Sequence, residues 1–179
     1  MKNLKYSKDF IEWIFKNKKI KIPINNIILA SEDEQNDYII IETGENFISS
    51  KIYYYDFSGN QLLFCDKKEG LIVWNVDGSQ HSLEFSGILN IGFFLKKKVI
   101  AIMYLASEKE AMIFDLKGNF ICEVEKLPHY EMMYFQEYPD YISIVMEGDN
   151  ETEDKYRRSI KNFHLNILTG TLQEMGLSY

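Results

Sequence analysis

Apolar and polar positions along this chain form short runs that end at glycine or at charged turns. Four runs lead from apolar residues through a polar one to a glycine: Tyr38-Ile39-Ile40-Ile41-Glu42-Thr43-Gly44, Ile72-Val73-Trp74-Asn75-Val76-Asp77-Gly78, Met112-Ile113-Phe114-Asp115-Leu116-Lys117-Gly118, and Phe163-His164-Leu165-Asn166 through Gly170. These glycines lie 34, 40 and 52 residues apart, a spacing of the size expected for repeated supersecondary units. Turn signals such as Asp56-Phe57-Ser58-Gly59-Asn60, Lys96-Lys97-Lys98 and Tyr138-Pro139-Asp140 recur at roughly ten-residue intervals. Between them lie segments rich in Ile, Val, Phe and Tyr, which fit pleated, half-buried surfaces. Short strands joined by short glycine-containing turns predict antiparallel pairing in chain order, a meander. The spacing predicts four strands in each of three units, 47–85, 89–126 and 130–175, after a shorter leading unit at 19–44. In each unit the glycine is expected to close the third strand, and residues 148–158 read as a charged insertion at a hairpin tip.

The N-terminal 18 residues break this pattern. Phe10, Trp13 and Ile14 have the i, i+3, i+4 spacing of one helix face, Ser7 can serve as N-cap, and Glu12 stands four residues before Lys16. The expectation is a short α-helix ending near Lys18 and docked on the β body. The chain as a whole, 1–179, is expected to be one all-β domain, an antiparallel meander of about four ~40-residue repeats at 19–175 preceded by that helix.

The repeating units resemble β-propeller blades, whose last hairpin often carries an aromatic–Asp–x–x–Gly turn. Phe114-Asp115-Leu116-Lys117-Gly118 matches that turn, and Trp74-Asn75-Val76-Asp77-Gly78 matches it with Asn in the Asp position. The other two units depart from it, and Gly-His and Trp-Asp dipeptides are absent. The resemblance implies a small or open propeller-like body, with a two-sheet β-sandwich as the alternative.

Charge changes the picture. The formal net charge is −7, but residues 1–22 hold seven lysines against Asp9 and Glu12, while the remaining 157 residues hold 13 basic and 25 acidic side chains. An acidic body repels phosphate backbones, which argues against nucleic acid and for a basic protein partner. Cys65 and Cys122 sit inside apolar runs and read as buried thiols in a reducing, cytoplasmic setting. No stretch approaches the ~18 consecutive apolar residues of a membrane span, so no membrane partner is expected.

Two acidic segments are the candidate partner-binding sites. Glu32, Asp33, Glu34 and Asp37 follow the apolar run Ile27-Ile28-Leu29, and Glu147, Asp149, Glu151, Glu153 and Asp154 surround the insertion. The second segment does not fit a calcium loop, because a count from Asp149 puts Asp154 where glycine is required and Ile160 where glutamate is required. His81, His129 and His164 show no metal-ligand spacing, and there is no Gly-x-Ser-x-Gly elbow or phosphate-binding glycine loop. Asp56, Asp77 and Asp115 read as turn residues rather than a carboxylate pair for hydrolysis. The chain is therefore expected to be no enzyme, to need no cofactor or metal, and to bind protein. It is similar in general type to bacterial immunity proteins, and that similarity implies acidic loops covering the cationic substrate site of a toxin or nuclease. The alternatives are an assembly subunit pairing through exposed strand edges, and a hydrolase on the same scaffold.

Overall fold

A computed structural model describes residues 2–178. It contains seventeen β-strands in four open antiparallel sheets, and among the described residues no α-helix; the single helical element is a 3-10 turn at Leu95–Lys97. The chain divides into two compact units, residues 1–85 and 86–179.

Unit one begins with a three-stranded sheet of β1 (Lys2–Tyr6), β2 (Phe10–Phe15) and β3 (Lys18–Pro23). The expected N-terminal helix is thus corrected to a β-meander. The buried residues of β2 are Ile11 and Trp13, at 0% and 1% exposure, so the working period is two and not 3.6. Trp13 also places its indole N–H on the Phe57 carbonyl at 2.8 Å. Lys16 and Asn17 take φ of 48° and 62°, and Phe15 pairs with Lys18, which makes a two-residue hairpin at the point where the helix was expected to run on. Glu12 meets Lys19 across the strands at 2.8 Å instead of Lys16 along a helix. Ser7 accepts the Asp9 backbone N–H in a tight turn and caps nothing.

The second sheet of unit one runs in chain order: β4 (Ile27–Asp33), β5 (Tyr38–Glu45), β6 (Ile48–Asp56), β7 (Gln61–Asp66), β8 (Leu71–Val76) and β9 (Ser79–Glu84). The leading repeat and the next one are therefore hydrogen-bonded into six continuous strands. Alternation along β6 matches the Tyr53-Tyr54-Tyr55 pattern: Tyr55 joins the core of Ile11, Trp13, Ile39 and Ile41, while Tyr54 packs edge-on to Tyr38 at 5.0 Å. Gly44 does not close β5, contrary to expectation. It sits at a bulge within the strand, where a Cβ would collide with the Ile48 carbonyl oxygen, and Asn46-Phe47 makes the turn with φ of 53° and 62°.

Unit two carries two four-stranded sheets: β10 (Ile88–Phe94), β11 (Val99–Leu105), β12 (Lys109–Asp115) and β13 (Phe120–Glu123), then β14 (Tyr130–Glu137), β15 (Ile142–Gly148), β16 (Ile160–Leu165) and β17 (Leu172–Leu177). The strands fall in the segments that the turn spacing marks out. Both sheets contribute to one core, Ala101, Met103 and Ile113 from the first and Ile144, Met146 and Phe163 from the second. Asn90 ties the sheets by accepting the Phe135 backbone N–H at 3.1 Å. Lys97 donates to Glu137 at 2.9 Å and to the Tyr138 and Pro139 carbonyls at 2.8 and 3.1 Å, fixing the β14–β15 turn.

One turn recurs. In Asp115-Leu116-Lys117-Gly118-Asn119 the Asp115 carboxylate accepts the Asn119 backbone and side-chain N–H groups, both at 2.8 Å, and Gly118 takes φ 83°. Asp56-Phe57-Ser58-Gly59-Asn60 repeats this with the same two 2.8 Å bonds from Asn60 and φ 93° at Gly59. Asp56 and Asp115 are turn residues, as their sequence context predicts.

Candidate functional site

The 149–159 connection between β15 and β16 is the longest departure from the repeat, and three side chains give it its shape. Asp149 accepts the Glu151 backbone N–H at 2.9 Å, and its backbone carbonyl receives both the N–H and the hydroxyl of Thr152, at 3.1 and 2.9 Å. Asp154 then closes a second turn. Its carboxylate accepts the backbone N–H of Tyr156 and Arg158 at 2.7 and 3.0 Å and the Arg158 guanidinium at 2.7 and 2.8 Å. Arg157 takes φ 61°. This is the Asp-x-x-Gly-Asn turn once more, with Arg157 in the glycine position and Arg158 in place of asparagine.

His129 pins the loop from the β13–β14 connection. Tyr130 pairs with Gly148 in the β14–β15 register, so the residue before the one faces the residue after the other. His129 Nδ1 lies 2.8 Å from Asp149 Oδ2, Nε2 lies 3.5 Å from Glu151, and the Asp149 backbone N–H donates to the His129 carbonyl at 3.0 Å. The Asp149 bond and charge, reinforced by Glu151, raise the His129 pKa above its ordinary 6.5. The His129 contact and the Glu151 amide hold the Asp149 carboxyl below the usual range, and the Arg158 contact does the same for Asp154.

The predicted acidic residues thus divide by role. Asp149 and Asp154 bond within the loop and set its shape, Glu151 faces His129, and Glu147 on β15 and Glu153 are exposed. In unit one, Asp33 plays the closing role in the β4–β5 turn, accepting the Asn36 backbone and side-chain N–H groups at 2.9 and 3.2 Å. Glu32 is half-buried on β4, Glu34 and Asp37 are exposed in the turn, and Asp37 has φ 60°.

Beside the His129 end of unit two lies a groove of about 410 Å3, which composition alone does not announce. Its apolar lining is Leu105, Leu127, Met132 and Met146, from β11, the β13–β14 connection, β14 and β15. Its charged wall is internally matched: Lys126 contacts Glu108 at 2.6 Å and Glu110 at 3.2 Å, and Lys109 contacts Glu131 and the Met132 carbonyl. The Tyr104 hydroxyl donates to Glu110 at 2.7 Å, which with Lys126 holds that carboxyl below its usual range. Register was the missing signal for both His129 and the groove. Pairing β14 with β15 about the Tyr138-Pro139-Asp140 turn brings position 129 to 149 and Met132 to Met146.

Other candidates settle into structural roles. His81 stacks on Trp74 with ring centroids 5.6 Å apart, and His164 packs on Tyr141 at 5.1 Å. Cys65 and Cys122 are buried and free, and burial pushes the Cys65 thiol up to about 12. Among the described residues no group of three or more His, Cys, Asp or Glu is placed to hold a metal ion, and no helix is long and apolar enough to cross a membrane.

No family model and no curated protein matches the chain. Solved structures do. One is a "putative 6-phosphogluconolactonase" from Bacteroides fragilis, 10% identical, TM-score 0.44, matching 93% of this chain and 63% of that one. Another is Hsv2 from Kluyvelomyces marxianus, 12% identical, TM-score 0.45, matching 97% of this chain and 66% of that one. The chain thus spans just under two thirds of either protein. The expectation that it is no enzyme is withdrawn, because one of these structures is named as an enzyme. At that identity and TM-score the likeness assigns no reaction here.

Proposed function

We propose that the protein is a binding module for a basic protein partner, of the immunity type that covers a toxin or nuclease at its cationic substrate site. The observation that carries this reading is the division of roles in the 147–158 segment. Asp149 and Asp154 shape the loop, Glu151 stands on it against His129, and Glu147 at the end of β15 and Glu153 in the loop are exposed beside it. Carboxylates fixed at a surface steer a cationic partner and raise its association rate. Glu34 and Asp37, exposed in the turn that Asp33 closes beside half-buried Glu32, add acidic charge on unit one, and the formal net charge of −7 favours the same class of partner. In this reading the successive meandering sheets are blades of a small, open β-propeller, and two buried, free thiols suit the cytoplasm.

The test is co-purification with the product of the adjacent reading frame. Replacing Glu147, Glu151 and Glu153 together with serine should weaken the complex about tenfold or more and flatten its salt dependence. Because all three are exposed, the variant should fold normally. Undiminished binding with the same salt response would sink the acidic-loop reading.

A second reading is an assembly subunit, favoured by open edges such as β17, where Met175 is exposed on a strand paired on one side. Concentration-dependent sedimentation would support it, and a single monomeric species at every concentration would remove self-assembly.

A further inference from the structure

The groove beside His129 has the layout of an anchor pocket, and we propose that it takes one large apolar side chain from a cationic segment of the protein partner. This rests on the binding-module reading and adds to it the chemistry of the segment bound. Three observations converge. The floor is apolar: Met132 and Met146 belong to the unit-two core, and Leu105 at the rim is 49% exposed. Methionine-lined floors adapt to the shape of an incoming side chain. The volume, about 410 Å3, equals the liquid share of roughly fourteen water molecules at ~30 Å3 each, so an aliphatic side chain fits with its flanking backbone.

Charge then selects the occupant. Lys109 and Lys126 are the lysines of the groove wall, and both are engaged by carboxylates of the same wall. Glu108 and Glu131 of the wall balance them, and the excess of negative charge comes from beside the groove: Glu110 on Lys126, Glu147 paired across from Glu131, and Asp149 and Glu151 around His129. An anionic segment is repelled there, and a neutral apolar one gains nothing from the rim. A segment with Lys or Arg on either side of Leu or Met satisfies both parts. Apolar centre and polar rim are the usual division of a recognition surface, with the centre supplying affinity and the rim supplying rate and register.

The experiment uses two labelled probe peptides, Lys-Lys-Leu-Lys-Lys and Lys-Lys-Ser-Lys-Lys, titrated with the full chain at low and high salt and read by fluorescence polarisation. The leucine peptide should bind about tenfold more tightly, a difference of ~1.4 kcal/mol, at both salt concentrations. It should also shift the methyl resonances of Met132 and Met146, while the serine peptide leaves them in place. Leu105→Ser, at an exposed position, should abolish the preference without changing the salt response. Glu147, Glu151 and Glu153 replaced by serine should weaken both peptides equally. Equal affinity of the two peptides for the natural chain overturns the anchor pocket and leaves the acidic-loop reading standing. A preference that survives Leu105→Ser with unmoved methionine resonances overturns the groove as its location. Failure of both peptides to bind at low salt overturns both readings.

Discussion

His129 shows how one side chain sets a loop's response to pH. Its contact with Asp149 raises the imidazole pKa above the ~6.5 of a free histidine. The contact therefore contributes fully below about pH 6.5 and is lost as pH rises through the raised value. An NMR titration should give His129 a midpoint above 6.5, and Asp149→Asn should bring it back down; an unchanged midpoint in that variant would assign the shift elsewhere. Asp149 and Asp154 act in the opposite sense. Their pKa values are depressed, so their contribution is present above about pH 4 and lost as pH falls through the lowered values. Asp154→Ala should speed amide exchange at Tyr156 and Arg158, whose N–H groups lose their acceptor, while Glu153→Ser leaves exchange unchanged.

At the scale of single elements, turn chemistry decides more than strand chemistry. The Lys16-Asn17 turn holds two non-glycine residues at positive φ, a conformation that favours Asn-Gly. Lys16→Asn combined with Asn17→Gly should stabilise the chain by about 1 kcal/mol, read as a Tm increase of about 2–4 °C. Gly44→Ala should do the reverse by about 1–3 kcal/mol, because its Cβ meets the Ile48 backbone and not a movable side chain. The same turns explain what the sequence concealed. Phe10, Trp13 and Ile14 satisfy a helical spacing while Ile11 and Trp13 satisfy a strand, and over so few residues both periods fit. Without glycine at 16 or 17, nothing in the residues marked the hairpin. From Phe47 onward, alternation and turn residues agree, and β6 to β17 could be placed from sequence. Asp154 was readable as an acid but not as a cap, because Arg157 and Arg158 disguise the turn that Gly118 and Asn119 make plain.

For the whole molecule, charge was legible and its deployment was not. Composition identifies an acidic chain with a basic N-terminal stretch, yet which carboxylates face outward depends on register. The −7 net charge and the depressed carboxyls of Asp115, Asp149 and Asp154 predict a stability plateau near neutrality and a decline below about pH 4, measurable by urea midpoints across pH. A flat acid limb would show those contacts to be immaterial. The paired turns at Asp149 and Asp154 carry a further implication for association. A long connection left floppy must surrender its conformational entropy when a partner arrives, at about 1–2 kcal/mol per residue fixed. Here the ordering happens during folding, through bonds internal to residues 149–158 and the reach of His129. A partner then meets a loop whose turns are already bonded, so a mutant loop that binds more tightly is expected to do so through new contacts.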